Sequence, residues 1–299
     1  MKTSSILNEI EQYQAPNGIG PKVVFVGDTS LRTPHFGCQL VGQTFREQFV
    51  RVGMELIASL PTSFERASNW RTHFDRADLI VINGEGSIHH GRFQELIDLA
   101  SKFPVALVNC VYQENPENPN LLKLKYVSAR ESMSANALIQ LGAEAEVVPD
   151  VLFASSFLRS FVPLNSADKE IGVTDSAKKE IKSFGPFSIR YRPGYSPKAK
   201  VVGDYLHYLT SHKRMCIGRF HAVIAASVLE IPFSCWDSNT WKTEGLMKDM
   251  GVAHLHFSSR KEAMANVPLE FPSEIRQFSQ DARLRVEAMF NRLAEIAHG

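Results

Sequence analysis

Residues 214–241 read Arg-Met-Cys-Ile-Gly-Arg-Phe-His-Ala-Val-Ile-Ala-Ala-Ser-Val-Leu-Glu-Ile-Pro-Phe-Ser-Cys-Trp-Asp-Ser-Asn-Thr-Trp. Residues 215–217 form a short apolar run that stops at Gly218. Arg219, Phe220 and His221 then stand where a helix begins. Residues 222–229 favour a helix that is apolar nearly all round, so the helix is expected to be buried. Residues 231–236 read as the next buried strand. A cation and an imidazole just past a strand's C-terminal end occupy the usual ligand position of an open α/β sheet. Free N–H groups at the helix start add attraction for an anion.

The same alternation runs upstream. A strand at 22–26 leads into the turn Gly27-Asp28-Thr29-Ser30, and a helix follows at 37–52 with Leu40, Phe45, Phe49 and Val52 on its apolar face. Strands are expected at 55–59, 77–83, 105–111 and 126–130, with helices at 93–101 and 132–141, the second ended by Gly142. Val147-Val148-Pro149-Asp150 closes this half. Residues 155–183 are polar and hold the crossing into a second half, with a short strand at 170–174. A strand at 187–193 and a helix at 201–211 precede the quoted stretch. A helix at 243–250, a strand at 252–257 and a short helix at 261–266 follow it. A long amphipathic helix at 273–297 offers Ile275, Phe278, Leu284, Met289, Leu293 and Ile296 for packing. One further short helix is expected at 4–13. Strands alternating with helices at this spacing imply parallel sheets. The expected architecture is α/β and GT-B-like, with two Rossmann-like halves, 1–150 and a trimmed 151–272, a cleft between them, and a C-terminal helix over 273–299. Packing of that helix back on the first half is left open.

Composition narrows the function classes. The chain has 299 residues, is 44% hydrophobic and carries a formal charge of +1, which gives no electrostatic case for nucleic acid. Cys38, Cys110, Cys216 and Cys235 form no CxxC pair, so neither a zinc framework nor a disulfide scaffold is implied. Residues 1–20 lack an apolar signal core, and no apolar run reaches membrane-spanning length. The expectation is a soluble cytoplasmic protein.

Gly218-Arg219-Phe220-His221-Ala222, the apolar helix, Ile231-Pro232, Asn239 and Lys242 resemble the C-terminal signature of the polysaccharide pyruvyl transferase family. Other pieces follow the family order. Gly27-Asp28 stands at its Gly-Asp turn, and Pro149-Asp150 at its Pro-Asp element. Arg130-Glu131 with Ser134 resembles its Arg-Asp-x-x-Ser element. Gly84-Glu85-Gly86-Ser87 departs from the family's Gly-Gly-Gly-like run by placing a carboxylate in the middle. The resemblance implies transfer of the enolpyruvyl group of phosphoenolpyruvate to a sugar as a pyruvate ketal, with no metal and no cofactor beyond that donor. Arg219, Arg130 and Lys242 would clamp the anion, with Asn239 closing the pocket. His221 would be general acid or phosphate donor, and Glu85 or Asp150 the base. Gly27, Asp28, Gly84, Gly86 and Ser87 would line the substrate site.

Each assignment has a plain structural competitor. Asp28 caps the next helix, Glu85 is a solvated loop carboxylate, and Arg130 forms a structural pair with Glu131 or Asp150. Ser132 or Ser134 caps the following helix. His35 and Cys38 share the first loop and are secondary candidates. Adjacent His89 and His90 diverge on a helix and make a poor metal pair. Two other functions stay open: a GT-B glycosyltransferase using a nucleotide-activated sugar, such as a CMP-linked acidic sugar, with Glu85 and Asp150 as catalytic carboxylates, or a non-catalytic glycan-binding relative. The expected partners are a small donor and a saccharide acceptor. The oligomeric state is not set by the sequence.

Overall fold

The computed structural model describes residues 20–32, 35–163, 167–176 and 198–299, with side chains from 202 onward in the last segment. The helix expected at 4–13 and the strand expected at 187–193 lie outside the described residues. In chain order the first elements are β1 (Lys22–Val26), α1 (Phe36–Arg51), β2 (Glu55–Leu60), α2 (Trp70–Phe74), β3 (Leu79–Glu85), α3 (Gln94–Asp98), β4 (Val105–Cys110), β5 (Tyr126–Ala129), α4 (Ser132–Gln140) and β6 (Ala145–Val147). They continue with α5 (Ser156–Arg159), β7 (Lys169–Ser176), α6 (Lys198–Thr210), β8 (His212–Gly218), α7 (Phe220–Val228), β9 (Phe233–Trp236), α8 (Lys242–Asp249), β10 (His256–Phe257), α9 (Arg260–Ala265) and α10 (Ser273–His298).

The strands form two parallel sheets, six-stranded in the order β2-β1-β3-β4-β5-β6 and four-stranded in the order β10-β9-β8-β7. In the first sheet the chain reverses direction of travel at β1 and β3. That switch point opens a crevice beyond the carboxyl ends of the strands. Alternation divides the core. Val23, Phe25, Leu79 and Val81 face one apolar cluster, and Val24, Val26, Ile80 and Ile82 face another. The first cluster also takes in Met215 and Ile217 of β8 and Ala222 to Ala226 of α7, so one continuous apolar core joins the two sheets.

The C-terminal helix docks on this core. Phe290 meets Phe45 and Phe49 edge-on at 5.4 and 5.5 Å. The Ser128 hydroxyl donates to the Met289 sulfur at 3.3 Å, and Arg51 donates to the Glu287 carbonyl at 2.7 Å. The helix therefore packs against α1 and against β5 of the six-stranded sheet. Leu284 departs from the expected packing face and is 62% exposed. It lies two positions from Ala282 and Val286 of the buried stripe, which puts it on the opposite side of the helix.

Two other expectations are corrected. The strand expected at 252–257 is a 3-10 turn at Ala253–Leu255 followed by a two-residue strand, because the chain leaves α8 through Gly251 at φ +74 and needs those residues to swing back to β9. The helix expected at 93–101 divides into α3 and a 3-10 turn at Leu99–Ser101. No helix among the described residues is long and apolar enough to cross a membrane.

Truncating Phe290 to Ala removes an aromatic anchor between α10 and α1. The expected loss is about 3–5 kcal/mol in urea unfolding, against less than about 0.5 kcal/mol for Leu284→Ala. Equal losses at both positions would contradict this placement of the helix.

Candidate functional site

The C-terminal ends of two strands of the large sheet and the start of α1 converge with two helix starts that follow the small sheet. Glu85 is the last residue of β3 and adopts φ +35, a left-handed backbone that is strained for a glutamate. Gly84 precedes it because a Cβ there would come within 2.2 Å of the Cys110 side chain on β4. Arg130 follows β5, and its N–H donates to the Cys110 carbonyl at 3.0 Å. Arg219 is the N-cap residue of α7, with Phe220 and His221 in the first turn. Lys242 opens α8. Together with His35 and Cys38 at the start of α1, these side chains line a cavity of about 280 Å³.

Lys242 reaches the cavity because its segment is tied to the large sheet. The Trp241 N–H donates to Gln113 Oε1 at 3.0 Å, and its indole donates to Ser134 Oγ at 3.1 Å. Ser132 donates to Asp249 from both its backbone and its hydroxyl, at 2.8 and 2.5 Å. Glu131 caps α4 by accepting from the Ser134 N–H at 2.9 Å, so neither Ser132 nor Ser134 is the cap. A Cβ at Gly245 would come within 2.5 Å of the Glu131 carboxylate, so α8 approaches this cap closely.

The three cations are held differently. Arg130 is only 1% exposed; it donates to Asp150 Oδ2 at 2.8 Å and lies over the Phe220 ring at 4.4 Å. Arg219 is 27% exposed and donates to Asp175 Oδ2 through Nε at 3.0 Å and Nη2 at 2.5 Å. The Lys242 amine donates to Asn239 Oδ1 at 2.6 Å and forms no ion pair among the described residues. Burial, then the nearby Arg130 charge, pushes Lys242 down to about 7, with Glu85 opposing the shift.

The acid–base groups are shifted in opposite directions. Burial raises the Glu85 carboxyl, against the charge of Arg130 and the hydrogen bond from Thr29. Thr29 Oγ1 donates to Glu85 Oε2 at 2.6 Å. Burial, and then the charges of Arg130, Lys242 and Arg219, hold His221 well below the usual imidazole range. Its Nε2 has no hydrogen-bond partner among the described residues and sits 3.5 Å from Glu85 Oε1 and 3.8 Å from Asp150 Oδ2. Burial thus favours a protonated Glu85 and a neutral His221. An acidic His221 with a basic Glu85 would need the opposite shifts.

Among the residues anticipated from sequence, Glu85, Gly86, Arg130, Arg219, His221 and Lys242 line the cavity, and so do His35 and Cys38. Asn239 stands behind Lys242 and Asp150 behind Arg130. Gly27, Asp28, Gly84 and Ser87 are outside the lining. Asp28 is wholly buried, accepts from the Ser30 backbone and the Ser59 hydroxyl, and pairs with Arg46. It caps the 3-10 turn at Thr29–Leu31, not the helix α1, which His35 caps. The Ser87 N–H donates to the Gly84 carbonyl, closing the turn after Glu85.

Other contributors were not singled out as site residues. Asn83 donates to Glu85 Oε2 at 3.4 Å, and Asn109 to Asn83 Oδ1 at 2.9 Å, so buried amides at the ends of β3 and β4 back Glu85. Polar residues ending apolar strands, Asn83-Gly84 and Asn109-Cys110, were the available signal. Asp175 had none, because its partner is 44 residues away. His89 and His90 face each other through Nδ1 at 2.7 Å, and the described residues hold no metal-binding group of three or more ligands.

No protein-family model and no curated protein matches this chain. Among solved structures it is similar to a functionally uncharacterized protein from Klebsiella pneumoniae subsp. pneumoniae NTUH-K2044, with a TM-score of 0.59 and 13% identity over 81% of this chain and 94% of that one. Looser likenesses are to UDP-GlcNAc 2-epimerase from Methanocaldococcus jannaschii (TM-score 0.42, 10% identity, 88% and 98% covered) and to a mutant O-GlcNAc transferase from Thermobaculum terrenum (0.34, 9%, 93% and 67%). The first likeness is one of fold alone. The two enzymes superpose too loosely to bear on activity.

Lys242 makes the site pH-sensitive. Between about 7 and the ordinary lysine value of 10.5, the unfolded chain binds a proton that the folded chain has released. Stability from this group therefore rises with pH across that window and is lost as pH falls through 7. Lys242→Met is expected to flatten the rise in melting temperature between about pH 7 and about pH 10. An unchanged rise in the variant would assign the proton to another group.

Proposed function

We propose that this protein transfers the pyruvyl group of phosphoenolpyruvate to a pair of sugar hydroxyls as a ketal. The proposal places it on a GT-B-type scaffold whose halves, 1–150 and 151–272, meet at the cavity. The observation that carries the reading is the convergence of Arg130, Arg219 and Lys242 on a small cavity that also presents Glu85 and His221. Phosphoenolpyruvate bears a carboxylate and a phosphate ester on the same carbon and calls for several cations at close range. The cavity volume of about 280 Å³ supports a compact donor. It falls at the lower edge of the roughly 300–1,000 Å³ of ordinary ligand pockets, and a nucleotide sugar needs more.

In this reading the two burial-shifted groups divide the proton work. Protonated Glu85 delivers its proton to the methylene carbon of the donor, and positive charge develops on the adjacent carbon. A sugar hydroxyl adds to that carbon and its proton passes to neutral His221 at Nε2. The bond to the phosphate oxygen breaks and inorganic phosphate leaves with the electron pair, held by Lys242. The second hydroxyl closes the ketal, and its proton goes to the departing phosphate. Arg130 and Arg219 hold the carboxylate throughout and stabilise the charge changes. Asp150 is occupied by Arg130, so among the lining residues Glu85 is the carboxyl open to the cavity. That weakens the reading as a glycosyltransferase with two catalytic carboxylates.

The test combines donor binding with turnover on a panel of saccharide acceptors, read as phosphate release. Glu85→Gln is expected to slow transfer about 10²–10⁴-fold, in line with loss of a general acid. Phosphoenolpyruvate affinity should stay unchanged, because in this reading the amide replaces a carboxyl that carries no charge. If CMP or another nucleotide binds and phosphoenolpyruvate does not, the proposal fails.

A further inference from the structure

Lys242 stands out among the cations of the cavity. Arg130 has Asp150 and Arg219 has Asp175, but the Lys242 amine has a neutral amide, Asn239, as its hydrogen-bond partner. Buried ammonium groups without a counter-ion are costly, and the cost disappears when the amine is neutral. The depressed value of about 7 follows from that burial and from Arg130 close by. A neutral lysine amine beside other cations is a nucleophile toward carbonyl carbon.

Geometry narrows what such an amine could meet. Gly86 has no side chain, and the point where its Cβ would stand lies 3.6 Å from Lys242 Nζ and 3.8 Å from Arg130 Nη2. One small space is thus shared by the amine and the guanidinium. Arg130 Nε is buried and lacks a hydrogen-bond partner among the described residues, so the guanidinium retains donor capacity after binding Asp150. A ligand filling this space would put its carboxylate on Arg130 and the next carbon along at Nζ. A carbonyl directly adjoining a carboxylate is the mark of a 2-oxo acid, and the cavity of about 280 Å³ suits a short one.

We infer that Lys242 captures short 2-oxo acids covalently, as an imine formed over Gly86 with the carboxylate held by Arg130. The Nζ lone pair adds to the keto carbon, and the carbonyl electrons move to oxygen, which takes up the proton lost from nitrogen. Glu85 then protonates the hydroxyl of this carbinolamine. Water leaves, and the nitrogen lone pair forms the C=N bond of a protonated imine. Atoms and charge balance with one water released, and no oxidant or reductant takes part. The inference stands apart from sugar transfer. Phosphoenolpyruvate has no free carbonyl, so toward that ligand the same amine can act only as a proton acceptor and cation.

The experiment incubates the whole protein with pyruvate, adds borohydride to reduce any imine to a stable secondary amine, and maps the product by mass spectrometry of peptides. Lactate, which has the carboxylate but no carbonyl, serves as the control. The expected result is one saturable adduct per chain, on Lys242, formed with pyruvate and absent with lactate. In Lys242→Arg, which keeps the charge but not the nucleophile, the adduct should vanish. Absence of adduct at Lys242 in the unsubstituted protein at saturating pyruvate would overturn the inference. So would labelling spread over exposed lysines with no preference for Lys242.

Discussion

The structure depends on keeping one guanidinium out of water. Arg130 is the largest fully buried side chain among the described residues, and its charge is tolerated because three parts of the chain meet around it. β5 delivers it, the Pro149-Asp150 segment after β6 supplies the carboxylate, and the β8–α7 turn supplies the Phe220 ring. Removing one partner of such a buried pair typically costs about 3–5 kcal/mol, because the other charge is left uncompensated. That constraint holds the start of α7 against the end of β5. His221 is thereby brought to 3.5 Å from Glu85 although the two come from different sheets.

The remaining electrostatics follow from an uneven pairing of charges. Asp150 and Asp175 answer the two arginines, and Lys242 is left with an amide. The cavity therefore holds surplus positive potential that an anionic ligand can satisfy without displacing an ion pair. The same burial raises the Glu85 carboxyl and lowers the His221 imidazole. Two groups shifted in opposite directions thus stand 3.5 Å apart beside that positive space.

The sequence made much of this legible, for physical reasons. Apolar runs of strand length separated by helix-period stretches gave the parallel α/β pattern. Gly218-Arg219-Phe220-His221 reads as a strand end followed by a helix start, and Arg219, Phe220 and His221 do line the cavity. Information that depends on partners distant in the chain was not legible. Asp28 stands in a motif-like turn, yet Arg46, Ser30 and Ser59 absorb it. For Asp150 the sequence offers a catalytic carboxylate, a hinge cap or a partner for Arg130, and only the folded chain shows the ion pair with Arg130. The opposite shifts of Glu85 and His221 come from burial that no local spacing encodes. Leu284 illustrates the converse: its apolar character suggested packing, but its place on the helix circumference put it in solvent.

We propose that Arg130, Arg219 and Lys242 form a receptor for a compact anion over Gly86. A crystal structure of the protein with phosphoenolpyruvate tests it most directly. The ligand's anionic groups are expected on Arg130, Arg219 and Lys242, with the methylene carbon facing Glu85. Phosphoenolpyruvate bound elsewhere at saturating concentration, with the space above Gly86 empty, would contradict it.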